Sequence, residues 1–219
     1  MTASGAGSPY VQLLKQMGAG MAESGQHVNY VDVAPMTAKD PTGSALTALA
    51  MPMIFGGMST AAIFSMVFKN SRTKQLIGAL GVAILGGLVA SSVLYFGFDA
   101  LEANFWPTTA VIILGIAAIS TTVLGLNSLL GFAGLGLGAV TMLFISNPLS
   151  GMATGMHWLP SPWGAIGQYL PLGAAGTAIR SSAFFDGAGM TNSVIVLLCW
   201  IIAGITLAAA GAWRARRTG

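Results

Sequence analysis

The chain has 219 residues, 54% hydrophobic and only 7% charged, with 9 Lys+Arg against 6 Asp+Glu for a formal net charge of +3. An ordinary soluble domain carries roughly 25% charged residues, so this composition excludes one. The basic excess is not a nucleic-acid footprint either, because no basic stripe with interleaved aromatics exists, and no nucleic-acid partner is expected.

Residues 1–44 are a polar segment. Tyr10 to Met21 reads as a short helix, and the alternating, β-branched Val28 to Val33 as a strand. Asp40-Pro41-Thr42-Gly43 reads as a turn, with Pro second and Gly fourth. The segment has no basic region followed by an apolar core, so no signal peptide is expected within it. It is expected to be the remnant of a larger external domain. A preceding transmembrane helix outside this chain, a membrane partner, or translocation by the first span would each carry it across.

Five apolar runs follow, at about 45–68, 75–96, 106–124, 128–145 and 191–213. Each is close to the ~20 residues a helix needs to cross a bilayer core. The fold class is therefore all-α: a polytopic membrane bundle of five transmembrane helices. Pro52 and Gly56-Gly57 invite a kink in the first span. The second span carries small residues at helical spacing, including Ala83 and Gly87. The fourth carries a GxxxG at Gly134 and Gly138. Both stripes are candidate helix-packing faces, since small residues let backbones approach closely. An uncharged turn near Gly125-Leu126-Asn127 is expected to fold the third and fourth spans into a hairpin. Ser120, Thr121, Thr122 and Thr141 are expected to bond to their own helix backbone. Cys199 is the only cysteine, so no intramolecular disulfide is possible; it reads as a small packing residue.

Charge gives an orientation. With Lys69 to Lys74 in the cytoplasm, the residues Lys69, Arg72, Lys74, Arg214, Arg216 and Arg217 all fall inside. Glu23, Asp32, Asp40, Asp99, Glu102 and Asp186 all fall outside. Lys and Arg excess in short loops sets orientation, which places the protein in the inner (plasma) membrane, N-terminus out and C-terminus in. Residues 214–219 are then a basic cytoplasmic tail.

Between the fourth and fifth spans lies an external region, 147–190, broken by Pro148, Pro160, Pro162 and Pro171. Trp163 to Leu170 and Leu172 to Phe184 are helix-length but too short to cross. They read as re-entrant or interfacial helices. Trp158, Trp163, Arg180 and Asp186 are candidate interfacial residues, with Arg180 able to snorkel or to pair with Asp186.

Catalytic motifs are absent. There is no GxxxxGK[ST], His27 and His157 have no second ligand at metal spacing, and no nucleophile–base set stands out. No catalytic residue, metal or cofactor is expected, and the chain is not read as an enzyme. No span holds an acid or a base. Proton-coupled pumps usually carry such residues, so proton relay is not expected.

Four stretches carry a resemblance: DPTGSALTALAMPMIFGG (40–57), LEANFW (101–106), GLGLGAVTMLFISNPLSGMATG (134–155) and WLPSPWGAIGQYLPLGAAGTAIRSSAFFDGAG (158–189). Together they resemble the membrane half of actinobacterial permease-like proteins related to the YhgE/Pip (phage infection protein) family and, more distantly, to type-2 ABC exporter permeases. The resemblance covers roughly residues 28–213 and is most specific at NPLSG and the QYLPLGAAGTAIRSSAFFDGAG run (168–189). It implies a permease-like subunit of an export system energised by a separate ATPase. It also implies a first transmembrane helix and an external domain ahead of the five spans. A non-transport scaffold or receptor of an envelope or secretion assembly is the alternative. Expected partners are the lipid bilayer, a further membrane protein or a second copy of the chain, and a separate ATPase. The small-residue faces are expected to lack packing partners inside the chain.

Overall fold

The computed structural model describes residues 4, 8–29, 31–32, 34–69, 71–100 and 105–218. Glu102 and most of the 101–106 stretch lie outside the described residues. Among the described residues the regular elements are helices, and five helical segments are long and apolar enough to cross a membrane, which makes the chain a multi-pass membrane protein.

Helix α1 (Ser8–Glu23) covers the expected Tyr10 to Met21 helix. The strand expected at Val28 to Val33 does not form in its described part; Tyr30 and Val33 lie outside it. A single short segment has no sheet to join, and lone strands are not stable. Asp32 instead accepts bonds from the Ser4 backbone N–H at 3.0 Å and from the Ser4 hydroxyl. Burial alone would raise the Asp32 pKa, but the bonds from Ser4 and Ala34 outweigh it and hold the carboxyl below its ordinary value.

The 40–43 turn forms, with Gly43 N–H donating to the Asp40 carbonyl at 3.1 Å. Gly43 has φ 66°, a conformation glycine adopts at no steric cost. The turn aims the Asp40 carboxylate at the start of the first span. It accepts from Ser44 N–H at 2.8 Å and Ala45 N–H at 3.0 Å, capping donors that have no partner within the helix.

That span is α2 (Ser44–Ala48) followed by α3 (Ala50–Val67). The break at Leu49 precedes Pro52, whose missing N–H cannot bond four residues back. Helix α4 (Arg72–Ser92) widens into a π-helical turn at Val93–Gly97. Helix α5 (Phe105–Leu130) is longer than its apolar run suggested. The hairpin turn is therefore not at Gly125-Leu126-Asn127, which is helical. It is at Gly131, with φ 62°, and α6 (Phe132–Ala139) begins at once. Gly125 sits inside α5 because the last helix of the chain, around Gly204, needs its missing side chain. A Cβ there would lie 2.5 Å from the Gly204 carbonyl oxygen.

The second half of the fourth span is π-helical, Val140–Ser146, and ends in α7 (Asn147–Leu149). Then come α8 (Trp163–Gly167), α9 (Pro171–Phe184) and the fifth span, α10 (Met190–Thr218).

α5 is the axis of the bundle. Thr108, Gly115, Ala117, Ala118, Ser120, Thr121 and Gly125 are small or hydroxylated residues spread around its circumference, and all are buried. Neighbours can therefore approach it from several sides. α4 approaches with Gln75, Ala79, Ala83, Gly87 and Ser91, its buried residues, spaced every four. α10 approaches with Gly204, Ala208 and Gly211.

Charge is segregated along this axis. Lys69, Arg72 and Arg216 line one cleft at one end of the bundle. Lys39 and Asp99 pair at 3.2 Å at the other.

Candidate functional site

The four small residues singled out above all make contacts within the chain. Ala83 is 0% exposed, and a Cβ on Gly87 would come within 2.4 Å of Ile113 in α5. A Cβ on Gly134 would meet the Leu126 carbonyl oxygen at 2.1 Å, and one on Gly138 the Val123 side chain at 2.9 Å. These faces hold α4 and α6 to α5. The expectation that they lack partners is overturned: the long α5 supplies one surface to each.

The hydroxyls behave mostly as side chains in apolar helices do. Ser120 and Thr121 donate to the Ala117 carbonyl at 3.2 and 2.7 Å, and Thr141 to that of Leu137 at 2.9 Å. Thr122 Oγ1 is buried without a bonding partner among the described residues.

The segment from Ser150 to Phe184 is re-entrant, and the contacts of α9 fix its depth. Ser182 bonds Thr108, near the start of α5, at 2.9 Å. Ala175 faces Gly115, two turns further along. α9 therefore runs antiparallel to α5, and its first residue, Pro171, lies about level with the middle of α5. The tip is held there from a third side, where Trp200 Nε1 donates to the Tyr169 carbonyl at 2.7 Å. Pro171 needs no N–H partner at the start of a helix. The next N–H, of Leu172, donates to Ser146 Oγ at 3.2 Å, so the fourth span caps α9.

Surface placement holds for some of the candidate interfacial residues and fails for α9 itself. Trp158 and Trp163 are exposed. Leu172, Ala174, Ala175, Ala178 and Ile179 are 0% exposed, because α9 is wedged against α5 and α10 and does not lie along an interface. Arg180 is half-buried and donates to the Met152 carbonyl at 2.9 Å. Asp186 is exposed and takes a left-handed conformation, φ 49°. It closes α9 by letting the Gly187 N–H reach back to the Ser181 carbonyl at 2.9 Å. Cys199 is also exposed, on the outer face of α10, and is not a packing residue.

One apolar groove is marked by no sequence motif. α3 and α4 diverge towards the Lys39–Asp99 end and leave a groove of about 570 Å³. Ala48, Pro52 and Gly56 form one wall, Val82, Gly86 and Val89 the other, and Ile116 of α5 the floor. Lys39, Asp40 and Ser44 supply the polar mouth. Glycine and proline thin the α3 wall, and Gly56 has nothing within 4 Å of where a Cβ would stand. Chemically this is a slot for a hydrocarbon chain with a polar group at one end. Among the described residues no cluster of His, Cys, Asp or Glu could hold a metal ion.

Comparison with protein-family models, curated proteins and solved structures gives no match.

Proposed function

We propose that the chain is a permease-like subunit of the plasma membrane, with its N-terminal segment outside and its basic tail in the cytoplasm. Its substrate is amphiphilic, and it is exported with energy from a separate ATPase. The observation that carries this reading is the groove between α3 and α4, apolar along its length and polar only at its Lys39–Asp99 end. In the proposed orientation, set by Lys69, Arg72, Lys74 and the arginines of α10, that mouth opens outward. The resemblance to permease-like proteins of the YhgE/Pip group agrees with it. The apolar runs of the five spans hold no Asp, Glu, His, Lys or Arg, which favours an external energy source over proton relay.

A specific observation favours the second reading, a scaffold or receptor. The connections at the basic end are short: residues 68–71 between α3 and α4, and Gly131 alone between α5 and α6. They leave little surface for an ATPase to push on.

Gly56→Leu separates the two. The substitution puts an aliphatic side chain on the groove wall, and its Cβ would meet nothing within 4 Å. ATP-dependent uptake of a fluorescent single-chain amphiphile by inverted membrane vesicles should require this chain and drop at least fivefold in the variant. Uptake indifferent to the chain's presence would remove the export reading and leave the scaffold.

A further inference from the structure

At the basic end, α4 and α10 part to leave a second cleft of about 690 Å³. Its rim carries Lys69, Arg72 and Arg216, and among the described residues no acidic one lines it. Below the rim the walls turn apolar, with Leu76 from α4 facing Ile205 and Ala209 from α10. Trp213 stands between the two zones, exposed and stacked under Arg217 at 3.6 Å from the guanidinium carbon to the ring centroid. Ser71 to Thr73 line the rim as well, so the positive end of the 21-residue α4 dipole faces the same space.

We infer that this cleft is a binding site for an anionic phospholipid of the leaflet at the basic end. The charge complementarity is one-sided: three cations and a helix N-terminus meet a phosphate, and nothing repels it. The vertical order also fits a lipid better than a protein loop. Cationic rim, indole and aliphatic floor follow one another as headgroup, interface and acyl chain do. A soluble acidic partner would use the rim and leave Leu76, Ile205 and Ala209 uncovered. The inference does not depend on the export reading, because a scaffold has the same cleft.

The test uses the purified full chain in nanodiscs of dioleoylphosphatidylcholine, with dioleoylphosphatidylglycerol added in steps and retained lipid read by native mass spectrometry. Phosphatidylglycerol should be retained in preference to phosphatidylcholine. Each basic residue near a membrane surface is worth about fivefold in affinity for anionic lipid. The triple variant Lys69→Gln, Arg72→Gln, Arg216→Gln should therefore lose on the order of a hundredfold. Arg72 also donates to Gln75 at 3.0 Å. Should the triple variant fail to fold, the double variant Lys69→Gln, Arg216→Gln should still lose about 25-fold. Lys74→Gln, exposed at the same end but not lining the cleft, should change affinity less than twofold. Equal retention of the two lipids would overturn the site. So would a Lys74→Gln loss as large as that of Arg216→Gln, which would mean diffuse surface charge. Displacement of the lipid by millimolar inorganic phosphate would reassign the rim to a free anion. Loss of an acidic protein partner in the double variant, with no lipid preference, would reassign it to a protein.

Discussion

α5 and α10 are both long apolar helices, of 26 and 29 residues, and α10 is the more apolar over its best window, yet 78% of that window is buried in α5 and 22% in α10. Hydropathy therefore places both in the membrane but does not say which of them the protein is built around. That is decided by where the small residues fall. α5 has them on every side. α10 has one seam, Gly204, Ala208 and Gly211, and presents Ile195, Leu198 and Ile202 outward. In lipid there is no hydrophobic gain in bringing two apolar helices together, so close backbone packing has to drive association.

The sharpest way to break this comparison is to close the seam. A Cβ at Gly204 would stand 2.5 Å from the Thr121 carbonyl carbon. The obstacle is backbone, so no side chain can swing aside. Overpacking costs typically 1–3 kcal/mol, and with no means of relief Gly204→Leu should cost about 3 kcal/mol or more. Denaturation in mixed detergent micelles should show it as a large loss of folded fraction. Gly136→Leu is the matching control, because nothing lies within 4 Å of that position. If the two variants unfold together, close approach is not what joins α10 to α5.

A smaller effect is expected at the α5–α6 hairpin, where the two glycines of the GxxxG pattern are not equivalent. Gly134 faces the Leu126 carbonyl oxygen, whereas Gly138 faces the tip of Val123, which can change rotamer. Gly134→Ala should cost about 2 kcal/mol and Gly138→Ala about 1 kcal/mol. Because both contacts lie within one chain, neither variant should alter the mass measured by light scattering in detergent. A shift in mass would return the GxxxG to an interface between chains.

These residues also show what could be read from the sequence. The five spans and the helical re-entrant pieces were legible because length and apolarity report the solvent around a helix. So was the Asp40 turn, because its signal is local. The end of α5 was not. Gly125-Leu126-Asn127 reads as a turn and Ser128 as the start of the next span, but Ser128 Oγ donates to the Ala208 carbonyl at 3.0 Å on α10, and the helix continues. The depth of α9 depends on partners far away in sequence, Thr108 and Ser146, that no spacing announces. The groove between α3 and α4 was illegible for the same reason. It is a gap between two helices whose separation is set by α5.

The smallest effect concerns the outer face of α10, and it tests whether the contrast with α5 survives in the assembled protein. Cys199 is exposed on that face, with Ile195 and Ile202 one turn away on either side. A residue there touches lipid, and replacing it leaves the packing alone, so Cys199→Ala should change stability by about 0.5 kcal/mol or less. The thiol gives a direct readout as well. A neutral maleimide that partitions into the bilayer should label it in native membranes, and a charged maleimide confined to water should not. Both should label it after denaturation. Protection from the neutral reagent in native membranes would mean that another helix covers the face. α10 would then be buried on two sides like α5, the difference in burial would be a property of the isolated chain, and the expected membrane partner would have its docking surface.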